Sequence, residues 1–288
     1  MSSDRFQVGP FGLADTVAYV DTNDADFAAI AEWSFRDLAL DEPADISGKT
    51  TLTFLVIRPN EGQDRWGMWL NGEPRQTMLA EDYVLFHLQW EFNNVILERR
   101  HATIHAAAIE VGGRAFILCG SSMSGKTTLA GWMAAHGAGY IADEIVALTD
   151  DSRAMHYRRP LGLRHGGPLE RLCAYPPGID RRFDRYEMLA PVSALGDPAM
   201  PEEPLAVGGI VFPRFDSDRV TRLEVVQKSV AFERVCENAP GIANNGRPVF
   251  HQIAALVREV PTFELVTTDL ARARQLLLSA ADETTVSA

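Results

Sequence analysis

One stretch of this chain has the residue types and spacing of a phosphate cradle. Gly120-Ser121-Ser122-Met123-Ser124-Gly125-Lys126-Thr127 reads G-x-x-x-x-G-K-[ST], a pattern in which a glycine-rich loop turns backbone N–H groups onto phosphate oxygens. The apolar run Ala115-Phe116-Ile117-Leu118-Cys119 precedes it, and helix-forming sequence from Thr127 to His136 follows. Strand, loop and helix are the context that the pattern needs. The helix N-terminus adds unpaired N–H groups and the positive end of a dipole. The expected nucleotide contacts are therefore Gly120, Ser121, Ser122, Met123, Ser124, Gly125, Lys126, Thr127 and Thr128. Lys126 is expected to reach the terminal phosphates and Thr127 to ligate Mg²⁺. ATP and Mg²⁺ are the expected ligands; the bland alternative is a glycine-rich turn with an exposed lysine.

Two carboxylates return one helix later. Tyr140 to Leu148 reads as an apolar strand with Asp143-Glu144 inside it. Charges inside a sheet are costly unless partnered. Neighbours on a strand point to opposite faces, so one acid can face a Mg²⁺–nucleotide site while the other faces elsewhere. The competing reading is a strand edge with solvated charges. Upstream, Ala102 to Val111 reads as a strand, and Gly112-Gly113 separates it from the strand into the loop. A two-residue glycine turn predicts a tight hairpin with fixed register. That register sets Val111 against Arg114, Ile109 against Phe116 and His105 against Gly120, so His105 is expected beside the mouth of the loop. A third group is a local basic run containing Arg158, Arg159 and Arg164. It reads equally well as an anion-binding segment for the substrate and as a solvated loop.

These residues need a scaffold, and the chain has enough material for one large domain or two modest ones: 288 residues, 46 % hydrophobic. A net charge of −12 disfavours nucleic acid and anionic membrane as partners. No apolar run approaches the roughly 18 residues of a membrane span, and Met1 to Arg5 lacks the apolar core of a signal peptide. Three scattered cysteines, Cys119, Cys173 and Cys236, point to a reducing compartment, expected to be the cytoplasm. Self-association into a homo-oligomer is left open.

The N-terminal region, residues 1–100, reads as α+β. It has a helix over 24–40, strands at 50–58 and 66–70, turns at Pro59–Gly62 and Asn71-Gly72, and a long helix over 78–100. That last helix shows Tyr83, Phe86, His87, Trp90, Asn94 and Leu97 at three- and four-residue steps. Residues 101–282 form the second region, and 283–288 a disordered polar tail. Within it, residues 174–204 are proline-rich and irregular, a length that suits a mobile or substrate-facing role; Arg181-Arg182 lie there. A strand at 206–215 is expected to pair with one at 222–226. Helices follow over 229–237 and 249–260, then a strand at 262–267 and a helix over 269–280 with Asp269 near its cap.

The ordered set His105, Gly120 to Thr127 and Asp143-Glu144 resembles the catalytic core of the HPr kinase/phosphorylase family, and more nearly the HPr-kinase-related kinases. The resemblance spans roughly residues 100–170 and extends weakly through Arg159-Pro160-Leu161 and Phe212-Pro213-Arg214. It implies an α/β P-loop nucleotide-binding domain of the HPr kinase/phosphoenolpyruvate carboxykinase type, with a mixed sheet and a small α+β region in front. It also implies ATP-dependent phosphoryl transfer to a hydroxyl, commonly a serine of a protein or peptide. In that family the residue matching Asp143 is the base, the residue matching His105 supports it, and the one matching Glu144 lies near the metal. The resemblance does not extend to the family's Glu-x-Arg-Gly-x-Gly segment, for Arg159 to Gly166 here begins without an acid, and phosphorylase activity is not implied.

Two other readings compete with a protein, peptide or small-molecule hydroxyl kinase. One is a metabolite kinase of the shikimate or gluconate type, which two parallel strands flanking the loop helix would support and an antiparallel hairpin into the loop would exclude. The other is a nucleotide-binding regulatory protein without transfer activity.

Overall fold

The computed structural model describes residues 5–40, 46–58, 65–100, 102–183, 185 and 187–286. The fold is mixed α/β with mixed sheets and no barrel. It divides into two compact units: Met1–Arg99 with Arg159–Ala194, and Arg100–Arg158 with Leu195–Ala288.

The chain begins with β1 (Phe6–Leu13), β2 (Thr16–Thr22), α1 (Ala25–Ser34), β3 (Thr50–Ile57), β4 (Trp66–Leu70), β5 (Glu73–Leu79) and α2 (Val84–Arg99). It then crosses into the second unit with β6 (Thr103–Ile104), β7 (Ala106–Val111), β8 (Arg114–Cys119), α3 (Lys126–Ala135), β9 (Gly139–Ala142) and β10 (Val146–Ala147). The first unit is completed by β11 (Leu161–Leu163) and β12 (Met188–Ala190). The second unit is completed by β13 (Val207–Phe215), β14 (Arg222–Val225), α4 (Lys228–Glu237), α5 (Pro240–Asn245), α6 (Arg247–Glu259), β15 (Thr262–Thr267) and α7 (Leu270–Val286).

In the first unit β1 to β5 form one sheet in chain order, with β2 and β3 parallel and the other pairs antiparallel. β4 and β5 meet at Asn71-Gly72, whose φ values of +50° and +85° are those of the mirror-image hairpin turn. The core is aromatic. Phe92 of α2 packs against Phe11, Phe35 and Phe54, and Phe27 packs against Trp66 and Phe183. β1, β2 and β5 carry no strong periodic signal, and the sequence missed them. The turn expected at Pro59–Gly62 lies outside the described residues.

Four expectations for the first unit and the ends of the chain need correction. The α2 stripe is rotated from the expected one: Leu85, Leu88, Phe92, Val95 and Ile96 face inward, while Trp90 is 47 % exposed. Residues 159–194 belong to the first unit, because β11 and β12 pair antiparallel there and Phe183 enters its core. Arg182 is not a free anion ligand. It pairs with Asp24 at 3.1 Å and Asp26 at 3.2 Å, and Asp24 also caps α1 by accepting from the Phe27 N–H at 2.9 Å. Finally, α7 runs on to Val286 where a tail was expected from Glu283.

In the second unit a six-stranded sheet has the order β14-β15-β13-β8-β7-β9. β8, β13 and β15 are mutually parallel neighbours, and β7, β9 and β14 run antiparallel to theirs. The expected β13–β14 hairpin does not form: β14 pairs with β15, which takes the place beside β13. One core joins Leu129, Ala130 and Met133 of α3 and Ala273 and Leu277 of α7 to Ile109, Phe116, Leu118 and Val211 of the sheet. Asp269 caps α7, accepting from the Arg272 N–H at 3.0 Å. Among the described residues, no helix is long and apolar enough to cross a membrane.

Candidate functional site

β8 lies in the interior of its sheet, between β13 and β7, and its last residue, Cys119, hands the chain to the loop. β7 and β8 form the expected hairpin, with Gly112 and Gly113 at φ +61° and +75° and Val111 opposite Arg114. The ladder ends one pair early, at Ala106–Cys119. His105 therefore does not face Gly120; its N–H donates to the carbonyl of Asn238 at 2.6 Å. This holds the His105 backbone to the C-terminal end of α4.

The loop itself is tightly built. A Cβ on Gly120 would lie 3.2 Å from Ser124 Oγ. Gly125 precedes α3 at φ +97°, a left-handed conformation that glycine takes without steric cost. Met123, at φ +67° and 77 % exposed, stands out from the loop. Lys126 is buried, and its Nζ donates to the carbonyls of Gly120 at 2.6 Å and Ser121 at 3.0 Å.

The two carboxylates are not inside a strand, as the sequence implied. β9 stops at Ala142, β10 starts at Val146, and Asp143 and Glu144 form the bend between them. Glu144 sits at φ +64°, a conformation that costs a non-glycine residue about 1–2 kcal/mol. The bend sends the two acids to different partners. Asp143, only 1 % exposed, accepts from Thr127 Oγ1 at 3.1 and 3.3 Å. Glu144 turns to His105, whose Nδ1 is 3.0 Å from its carbonyl oxygen and 3.3 Å from Oε2, with both side chains 40 % exposed. A carbonyl only accepts, so Nδ1 carries the hydrogen and Nε2 of the neutral ring keeps a lone pair.

The basic run is divided between the units. Arg158 donates to the carbonyls of Met200 and Pro201 at 3.1 and 2.8 Å. Arg159 is buried, with its Nε 3.2 Å from the Pro160 carbonyl. Both guanidinium groups thus meet backbone carbonyls of their own unit. Arg164 is exposed, in the first unit.

A cavity of about 450 Å³ opens in the second unit beside the loop. One wall is Cys119 and the loop from Gly120 to Ser124; the other is built from the end of β13, the last turn of α4 and Glu264 of β15. Of this wall, sequence reasoning singled out only Phe212-Pro213-Arg214, through the family resemblance. Its residues come from three separated elements, and each by itself has the pattern of an ordinary strand or helix.

Chemically, the arrangement combines a turn of backbone N–H groups before a helix with an ammonium, a hydroxyl on a buried carboxylate, and an exposed histidine with a fixed tautomer. Among the described residues no three His, Cys, Asp or Glu side chains gather to hold a metal. A Mg²⁺ here would be held by few protein groups together with phosphate oxygens, the usual mode for that ion. A scan against models of protein families finds no match for this chain, and a search of curated proteins finds none.

Proposed function

We propose that this protein is an ATP-dependent kinase with a P-loop fold of the HPr kinase/phosphoenolpyruvate carboxykinase type. It would transfer the γ-phosphate, in the presence of Mg²⁺, to a hydroxyl of a protein, peptide or small molecule. The observation that carries this reading is the Thr127 hydroxyl set on the Asp143 carboxylate immediately behind the loop. That pairing joins a metal-ligating hydroxyl to an acid at the point where the terminal phosphates would lie.

In this reading the loop N–H groups and Lys126 bind the phosphates, and Thr127 and Asp143 serve the Mg²⁺ side. The geometry favours exchanging the expected roles of the two acids. Asp143 is buried on Thr127, while Glu144 orients His105. The acceptor oxygen attacks the γ-phosphorus, the bond to the β-phosphate oxygen breaks, and the hydroxyl proton passes to His105 Nε2. Glu144 stabilises the imidazolium that results. The antiparallel β7–β8 hairpin entering the loop argues against the metabolite-kinase alternative. Cys119, Cys173 and Cys236 are free thiols, compatible with a cytoplasmic setting.

The test is incubation of the purified protein with γ-labelled ATP, Mg²⁺ and a cell extract, followed by separation of protein from small molecules. Label transferred by the wild type but not by Lys126→Ala is expected. If the protein binds ATP and yet no acceptor pool, large or small, ever gains label, the regulatory alternative replaces the kinase.

A further inference from the structure

We infer that the free edge of β14 pairs with β14 of a second copy of this chain, antiparallel across a two-fold axis, so that two six-stranded sheets join into one. The inference is independent of the reading of the phosphate loop. β14 is the end strand of its sheet. Among the described residues, neither a strand nor an isolated bridge occupies its outer side. Val220, just before it, is 81 % exposed, and Val225, at its end, is 82 % exposed. The ladder with β15 fixes which backbone groups are free. The Val226 N–H donates to the Thr262 carbonyl at 2.8 Å, and the register runs back through Glu224↔Glu264 and Arg222↔Val266. Hydrogen-bonded pairs alternate along an antiparallel ladder. Arg222, Glu224 and Val226 therefore turn their N–H and C=O groups to β15, while Thr221, Leu223 and Val225 turn theirs outward.

A second strand can bond only where outward residues face outward residues, so a two-fold pairing of β14 with itself centres on residue 222, 223, 224 or 225. The side chains choose among these registers. Centred on 222, Arg222 meets Arg222 of the second copy. Centred on 224, Glu224 meets Glu224. Centred on 225, Glu224 meets Val226 and its charge goes unmatched. Centred on Leu223, Arg222 stands opposite Glu224 of the second copy, and Glu224 opposite Arg222. These are non-hydrogen-bonded pairs, in which facing side chains come closest; opposite charges there stabilise and like charges destabilise. The same register sets Val220 opposite Val226. Within one chain Arg222 Nε already lies 2.9 Å from Glu224 Oε1. That exposed pair contributes little by itself, and in the dimer the four charges alternate in sign around the axis. Charges on an edge strand ordinarily guard it against pairing. Two of opposite sign, two residues apart, leave the Leu223-centred register as the one that matches charge. Few residues are paired on each side, so the dimer is weak and concentration-dependent.

The experiment is sedimentation equilibrium of the full chain at low salt, over concentrations from about 1 μM to 1 mM. Wild type should show a monomer–dimer equilibrium in that range. Arg222→Glu and Glu224→Arg each set like charges against one another at both cross-axis pairs, and each should weaken the dimer about tenfold or more. The double reversal Arg222→Glu with Glu224→Arg restores both opposite-charge pairs and should return the wild-type affinity. Val225→Pro removes an outward N–H and leaves the hydrogen bonds to β15 in place, as prolines on edge strands do, and should abolish the dimer. A wild type that stays monomeric throughout overturns the proposal. So does a dimer that is indifferent to the single reversals or to Val225→Pro, or a double reversal no tighter than the singles.

Discussion

Thr127 Oγ1 lies 3.1 Å from one oxygen of Asp143 and 3.3 Å from the other, so the first turn of α3 is clasped to the residue that follows β9. This contact joins the loop's helix to the strand at the far edge of the sheet through a carboxylate that water does not reach. It is both a structural tie and the proposed metal side of the site. Substitutions here should separate the two roles.

Thr127→Val removes the donor and leaves a buried carboxylate with one partner fewer. That should cost about 1–3 kcal/mol, visible as a lower denaturant midpoint. Asp143→Asn keeps a hydrogen-bonding side chain of the same shape and should cost less. Its effect should appear in function: ATP affinity measured with and without Mg²⁺ should become the same. Should Asp143→Asn keep the full Mg²⁺ enhancement, the acid is structural only.

Glu144 supplies a different kind of test, since its backbone is in the left-handed region while its side chain serves His105. Glycine adopts that backbone freely. Glu144→Gly should therefore leave the melting temperature unchanged or raise it slightly, offsetting some of the roughly 1–2 kcal/mol of strain, while phosphoryl transfer falls by about 10²-fold or more. Glu144→Gln should restore stability to the wild-type level without restoring transfer. A drop in melting temperature for Glu144→Gly, or transfer at the wild-type rate, would remove this residue from the proposed dyad.

The loop was legible in the sequence because its signal is local: two glycines, a lysine and a threonine at fixed spacing between a strand and a helix. The β7–β8 register was legible for the same reason, since Gly112-Gly113 leaves one alignment. What failed depended on tertiary context. No residue type signals that Glu144 leaves the strand, because a charged pair in an apolar run looks the same whether the backbone continues or bends. Nor could the α2 stripe be oriented: Trp90 and Phe92 are both large and apolar, and only the aromatic core around Phe11 and Phe54 decides which turns inward. The basic run from Arg158 to Arg164 looked continuous, yet the unit boundary falls between Arg158 and Arg159.

The thiol at the foot of the loop predicts a loss of stability in alkali. Burial pushes the Cys119 thiol from an ordinary value of 9.0 to about 12, with Lys126 nearby opposing the shift and Glu237 adding to it. Burial likewise pushes Cys173 to about 11. In the unfolded chain these thiols ionise near their ordinary value, so between that pH and the folded values the unfolded state binds fewer protons than the native one. Their contribution to stability is complete below pH 9 and is lost progressively as pH rises toward 11 and 12. The slope for each fully shifted thiol is about 1.4 kcal/mol per pH unit. Urea midpoints measured from pH 7.5 to pH 11 should therefore fall above pH 9, and Cys119→Ala should flatten that fall relative to wild type. Lysine and tyrosine ionisation affect both proteins alike, so the difference between the two curves isolates the thiol. In the native state at pH 8 iodoacetamide should leave Cys119 unmodified, because the neutral, buried thiol is a poor nucleophile. Parallel midpoint curves for the two proteins, or rapid native-state alkylation of Cys119, would mean that this thiol reaches solvent and that the strand end beneath the phosphate loop opens far more readily than its packing implies.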